Sequence, residues 1–173
     1  MKYLLITMTT MILMGCTTKQ LQNQEPKKQL SISLIEAINI GNYQIVEQHL
    51  KNESNLKVKD HWGRTILHKA SGKEGKNNIV SLLIKYGAEV NITDKFGENP
   101  LHIAARLGLN DIAELLIYHN ININLKTNFP KTDPHTPLDF ALEKSHQTTA
   151  NLIRKHGGKT SEELKAEGKR NNY

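Results

Sequence analysis

Eight histidines, a single cysteine and a Gly72-Lys73-Glu74-Gly75-Lys76 run are the residues whose types could do chemistry in this chain. Two histidines four apart around a glutamate would supply a zinc hydrolase with ligands and base, and Cys-x-x-Cys would supply a metal or redox site. Neither spacing occurs, and no paired carboxylates support metal hydrolysis. No metal ligand, catalytic residue or cofactor is therefore assigned. A phosphate-cradling loop needs a glycine five residues before Gly-Lys-Ser/Thr; here the glycines are three apart and Asn77 follows, so the run reads as a turn between helices. A thiol nucleophile would need a base beside it, and Cys16 lies in an apolar N-terminal stretch. A hydrolase or metal protein using histidines such as His61 and His135 is kept as an alternative of a different class.

Two of the histidines, His68 and His102, occupy one position in similar segments, so the elements that carry them come next. From Asp94 the chain makes a turn at Lys95-Phe96-Gly97-Glu98, where Gly97 can take positive φ. Pro100 then sits in the first turn of a helix, and Leu101, Ala104 and Ala105 follow at i, i+3 and i+4. Gly108 ends it. Ile112, Leu115 and Leu116 form a second stripe over Asp111 to Tyr118, closed at Asn120. A turn, T-P-L-H-like residues and two antiparallel helices in about 33 residues resemble the ankyrin repeat.

Three more copies fall in register. Residues 31–59 read as an N-terminal cap without a hairpin: Ser33 and Glu36 make a capping box, and Leu34, Ala37, Gly41 and Ile45 match Leu101, Ala104, Gly108 and Ile112 in type. Repeats are placed at 60–93, 94–126 and 127–158, giving an all-α ankyrin solenoid with β-hairpin fingers over 31–164. In the first, Thr65-Ile66-Leu67-His68 stands for T-P-L-H. In the last, Thr136-Pro137-Leu138-Asp139 carries Asp for His, and its hairpin, Thr127 to His135, is several residues longer than its neighbours. Residues 159–173 are expected to close the array with a Thr160/Glu163 cap and to fray from Lys165. The resemblance implies structural roles for Thr65, His68, His102, Thr136 and Pro137, each imidazole bonding the Thr of its own motif and the backbone of the next repeat.

It also implies a partner-binding face on the hairpin tips and the first helices. Carried over residue by residue, the tips are His61, Trp62 and Arg64, then Lys95, Phe96 and Glu98, then Phe129, Lys131 and His135. On the helices the same face holds Arg106 and Leu107, with Lys73, Glu143 and Lys144. Trp62 and Phe96 share one register and are expected to stand side by side. The partner is then a protein, as yet unidentified, and an inhibitor or immunity protein against a secreted toxin is a variant of the same reading.

The N-terminus bears on location. Lys2 precedes an apolar run, Tyr3 to Met14, too short to span about 30 Å of hydrocarbon. Leu13-Met14-Gly15-Cys16 resembles the lipobox of bacterial lipoproteins, which implies a signal peptide at 1–15, acylation of Cys16 and a tether over 16–30. That segment is polar and Gln-rich. The expected location is the bacterial cell envelope, lipid-anchored, with the outer membrane favoured over the inner. A net charge of +6 comes from scattered Lys and Arg opposed by 17 acids, without a basic stripe, so no nucleic acid is expected and a monomer is the default.

Overall fold

The computed structural model describes residues 32–129 and 133–170. The expected signal peptide and tether, Cys16 and Lys131 lie outside the described residues. Those described belong to one compact unit beginning at Ile32. They form α1 (Leu34–Ile40), α2 (Tyr43–Lys51), α3 (Ile66–Ser71), α4 (Asn77–Lys85), α5 (Pro100–Leu107), α6 (Asn110–Tyr118), α7 (Pro137–Glu143), α8 (Gln147–Lys155) and α9 (Ser161–Arg170). None of these is long and apolar enough to cross a membrane.

Helices α1 and α2, α3 and α4, α5 and α6, and α7 and α8 pack as pairs. Helices α1, α3, α5 and α7 stack in one row, and α2, α4, α6 and α8 in a second. Small residues let the rows approach. Ala37, Ala70, Ala104 and Ala141 are fully buried at one repeat position, while Ile38, Leu67, Ile79, Leu83, Leu101 and Leu116 fill the space between rows. Burying one such Leu or Ile contributes roughly 1.5–3 kcal/mol, and no single repeat could close its own apolar face. The start signals act locally. The Ser33 hydroxyl accepts from Glu36 N–H at 3.2 Å, and Thr136 and Asn99 occupy the corresponding caps ahead of Pro137 and Pro100.

Glycine is needed where repeats touch. Gly108 has φ +69°, and a Cβ there would lie 2.6 Å from Nδ1 of His146, whose Nε2–H donates to the Arg106 carbonyl at 3.0 Å. One sequence expectation changes: the fingers are tight turns, and no strand forms among the described residues. At the C-terminus α9 runs past Lys165 to Arg170, and Lys159 Nζ pairs with the Glu167 carboxylate at 2.6 Å.

Ser71 sits fully buried in α3, and its hydroxyl has no hydrogen-bond partner. The equivalent position of α5 is Ala105, equally buried. Ser71→Ala is predicted to stabilise the fold by about 1 kcal/mol, because it removes a desolvated hydroxyl and improves helix propensity. A urea midpoint that falls on this substitution would contradict the assignment.

Candidate functional site

Two turns and two helices build the site. In the first finger Asp60 Oδ1 accepts from Trp62 N–H (3.0 Å) and Arg64 N–H (2.9 Å), and Asp60 N–H donates to Arg64 O (3.0 Å). Asp94 repeats this in the second finger, with Phe96 N–H at 2.8 Å and Glu98 N–H at 3.0 Å. The fingers are joined main chain to main chain: Lys95 N–H donates to Trp62 O and Asn128 N–H to Phe96 O, each at 2.9 Å. Gly97, at φ +75°, admits this approach, since a Cβ there would lie 2.9 Å from Asn128 Oδ1. In the third finger the Thr127 hydroxyl replaces the aspartate and accepts from His135 N–H at 2.9 Å.

The fingers are tied to the helices through the fourth residue of each T-P-L-H-like motif. His68 accepts at Nδ1 from Thr65 N–H (3.2 Å), with the Thr65 hydroxyl 2.9 Å away, and donates from Nε2 to the Glu98 carbonyl of the next repeat (3.1 Å). His102 accepts at Nδ1 from Asn99 N–H (3.1 Å) and donates to Leu125 O (3.1 Å) and His135 O (3.3 Å). Asn99 takes the Thr position and adds a bond from Nδ2 to Asn122 O at 3.0 Å. At the third copy the neighbour presents both an amide, at the N-terminus of α9, and a carbonyl. Asp139 accepts from Ser161 N–H (2.9 Å) as well as from its own Thr136 N–H (2.8 Å), and the Thr136 hydroxyl donates to the Lys159 carbonyl (2.8 Å).

Glu98 is not a tip contact. Its side chain is 1% exposed and turned inward, where it pairs with Arg106 Nη2 and, at 3.4 Å, with Arg64 Nη2. Arg64 Nε also donates to Asp94 Oδ2 at 3.1 Å. Two carboxylates thus lie behind two guanidiniums. Arg106 lies over the Phe140 ring at 4.3 Å and Arg64 over the Trp62 ring at 5.7 Å. Burial, followed by the nearby charge of Arg64, lowers the Arg106 guanidinium from its ordinary value.

The aromatic register is also rearranged. Phe96 stacks on Phe129 of the longer third finger, centroids 5.1 Å apart, instead of pairing with Trp62. Trp62 lies against its neighbour His61 at 3.5 Å. His61, Lys95, Leu107, Lys73, Glu143 and Lys144 are exposed, and His135 is half-buried, paired with Glu143 at 2.6 Å and stacked on Phe140. The structure therefore brings Trp62, Arg64, Arg106 and Leu107 together around a groove of about 330 Å³, floored by Gly72 and Ile103. Phe96 and Phe129 form a separate pair. Among the described residues no group of three or more His, Cys, Asp or Glu is placed to hold a metal ion.

Sequence reasoning missed a second tie between repeats. Asn91 accepts from Asn122 N–H at 2.6 Å and donates to Asn120 O, and Asn124 accepts from Lys159 N–H at 2.7 Å and donates to Gly157 O. The 33-residue spacing of Asn91 and Asn124 was the available signal.

Helix pairs stacked in two rows, with turn-built fingers on one edge and each repeat completing its neighbour's hydrogen bonds, define a solenoid repeat protein. Residues 34–127, more than half of the chain, match the family described as "Ankyrin repeats (3 copies)". The chain belongs to the ankyrin repeat family, whose repeats serve protein–protein interaction, and no enzyme family is indicated. It is similar to the "Notch-regulated ankyrin repeat-containing protein" of Homo sapiens and of Mus musculus, 36% identical over 80 residues, which cover 44% of this chain and 69% of each relative. The protein of that name in Xenopus tropicalis is 35% identical over the same length.

Burial pushes the His68 imidazole down to about 4 against the opposing charge of Asp94, and pushes His102 down to about 4 against its carbonyl acceptors. Both are held neutral in the fold. Below the unfolded value of 6.5 the unfolded chain takes up protons that the folded imidazoles refuse. Stability from this source is therefore complete above pH 6.5, falls towards pH 4 and is flat below, by on the order of 3 kcal/mol per histidine. Urea unfolding across that range, with ring-proton NMR of His68 and His102, checks it. Titration of either ring near 6.5 in the folded protein would refute the account.

Proposed function

We propose that this protein is a non-catalytic interaction module, held at a membrane by lipid on Cys16, that binds a protein partner through the groove between its first two fingers and α3 and α5. One observation carries the reading: Trp62 and Leu107, each about half exposed at 47% and 49%, flank the same groove as the two half-buried arginines. Nothing in the fold of the repeats requires a tryptophan at a fingertip or a leucine on the open side of α5. Aromatic and arginine side chains dominate interface energies because they bury much area at low entropic cost. The groove is formed by residues whose positions the internal hydrogen bonds already fix, so little ordering entropy is left for binding to remove.

The membrane part of the proposal stands on the sequence of residues 1–16. An apolar run ending in Leu13-Met14-Gly15-Cys16 supplies a lipid attachment site, and more than one acyl chain gives stable anchoring. In this reading the solenoid acts stoichiometrically, holding or inhibiting a partner at a bacterial cell envelope.

Two results are expected. The full chain, tagged at its C-terminus and recovered with detergent from the cells that make it, retains a partner that a Trp62→Ala/Leu107→Ala version with the same helical circular-dichroism spectrum loses by about tenfold or more. Capture unaffected by the double substitution would take the groove out of the reading. Labelled palmitate is incorporated by the parent chain and not by Cys16→Ser, which leaves the membrane fraction; equal labelling of both would remove the lipid anchor.

A further inference from the structure

The groove's charges are arranged by depth. Its acids are withdrawn: the Asp94 and Glu98 side chains are 0% and 1% exposed, and Asp60 is 16% exposed and engaged by Lys69 Nζ at 3.0 Å. Its cations stand in front, with Arg64, Arg106 and Lys69 open to solvent at 30%, 29% and 33%. The formal sum over these six residues is zero, but the cations are the more exposed members; the exposed acid nearest to them is Glu143, which acts on Arg106 and is itself paired with His135. Lys73, in the turn after α3, and Lys95, on the second finger, are both exposed.

The guanidiniums are also incompletely used. Of the five donors on each, Arg64 spends Nε on Asp94 and Nη2 on Glu98, and Arg106 spends Nη2 on Glu98. Arg64 also lies over the Trp62 ring and Arg106 over the Phe140 ring, and the remaining N–H groups form the planar donor edges that match a carboxylate. Beside them Trp62, Ile103 and Leu107 line the same groove with apolar surface.

Resting on the interaction reading above, we infer that the groove takes a protein segment in which an acidic side chain stands next to a bulky apolar one, the carboxylate meeting Arg64 and Arg106 and the apolar group lying against Trp62, Ile103 and Leu107. The internal carboxylates make this selective. They hold both arginines in fixed positions at no cost to the visitor, and because they are buried they do not compete with it. A basic segment would bring cation against cation, and an acidic segment without an apolar neighbour would leave Trp62 and Leu107 wet.

The test titrates the isotope-labelled full chain, in detergent, with three short peptides of one length: Leu-Phe flanked by aspartates, Leu-Phe flanked by lysines, and Ser-Gly flanked by aspartates. The first is expected to shift the side-chain N–H resonances of Arg64, Arg106 and Trp62 together and to bind at least about tenfold tighter than either of the others, more so at low salt. Equal binding of the lysine peptide, or no shift at the arginines with any peptide, overturns the inference. Arg106→Gln alone strands the buried Glu98 charge, so the variant used is Arg106→Gln/Glu98→Gln, which removes the pair together and is expected to weaken the first peptide by about tenfold. In the capture experiment, a partner that needs Trp62 but is held equally by this double variant and at high salt overturns the acidic-segment inference and leaves the interaction module standing. A partner indifferent to Trp62 removes both.

Discussion

The main-chain groups of a finger are buried where one repeat meets the next, and the bonds made within a repeat leave part of their capacity to the neighbour. The Glu98 carbonyl accepts from Asp94 N–H of its own finger and from His68 of the preceding unit, the Leu125 carbonyl accepts from His102, and the Ser161 amide donates to Asp139. An unpaired buried carbonyl costs roughly as much as the net worth of several surface contacts. These bonds therefore do more than decorate the stack. They fix the height of each finger relative to the helix behind it, and with the Asn91 and Asn124 clamps at the other end of each unit they make neighbouring repeats mutually dependent.

That dependence places the arginines. Glu98 is held in the turn by Asp94 Oδ1 at its amide and by His68 at its carbonyl, so its side chain has one direction left, inward beneath α5. Arg64 and Arg106 come from different repeats and meet over it. A charge buried for structural reasons thus organises two charges that remain partly open, and the apolar flank of Trp62 and Leu107 completes the groove without altering the core.

How far the sequence could carry this differs residue by residue. The helix pairs were legible because Leu101, Ala104, Gly108 and Ile112 have counterparts at fixed offsets, and a period needs only residue types to be seen. The inward turn of Glu98 was not legible, since a glutamate at a fingertip reads as solvated unless the arginines that neutralise it are known to converge, and Arg106 lies on another element. The pairing of Phe96 with Phe129 escaped for a related reason: register put Trp62 next to Phe96, whereas the extra length of the third finger supplies a closer ring. Asp139 was visible as a departure from the pattern, but its cause lies in the orientation of a helix some twenty residues further on.

That departure changes how the last junction is closed. His68 and His102 are donors facing carbonyls of the next unit. Asp139 faces its neighbour as an acceptor and receives the Ser161 N–H, while donation to the carbonyl at this junction, that of Lys159, passes to the Thr136 hydroxyl at 2.8 Å. The polarity of the seam is thus preserved although the side chain in the histidine position is inverted: two short side chains, one accepting and one donating, divide between them the work that a single imidazole does at each earlier seam.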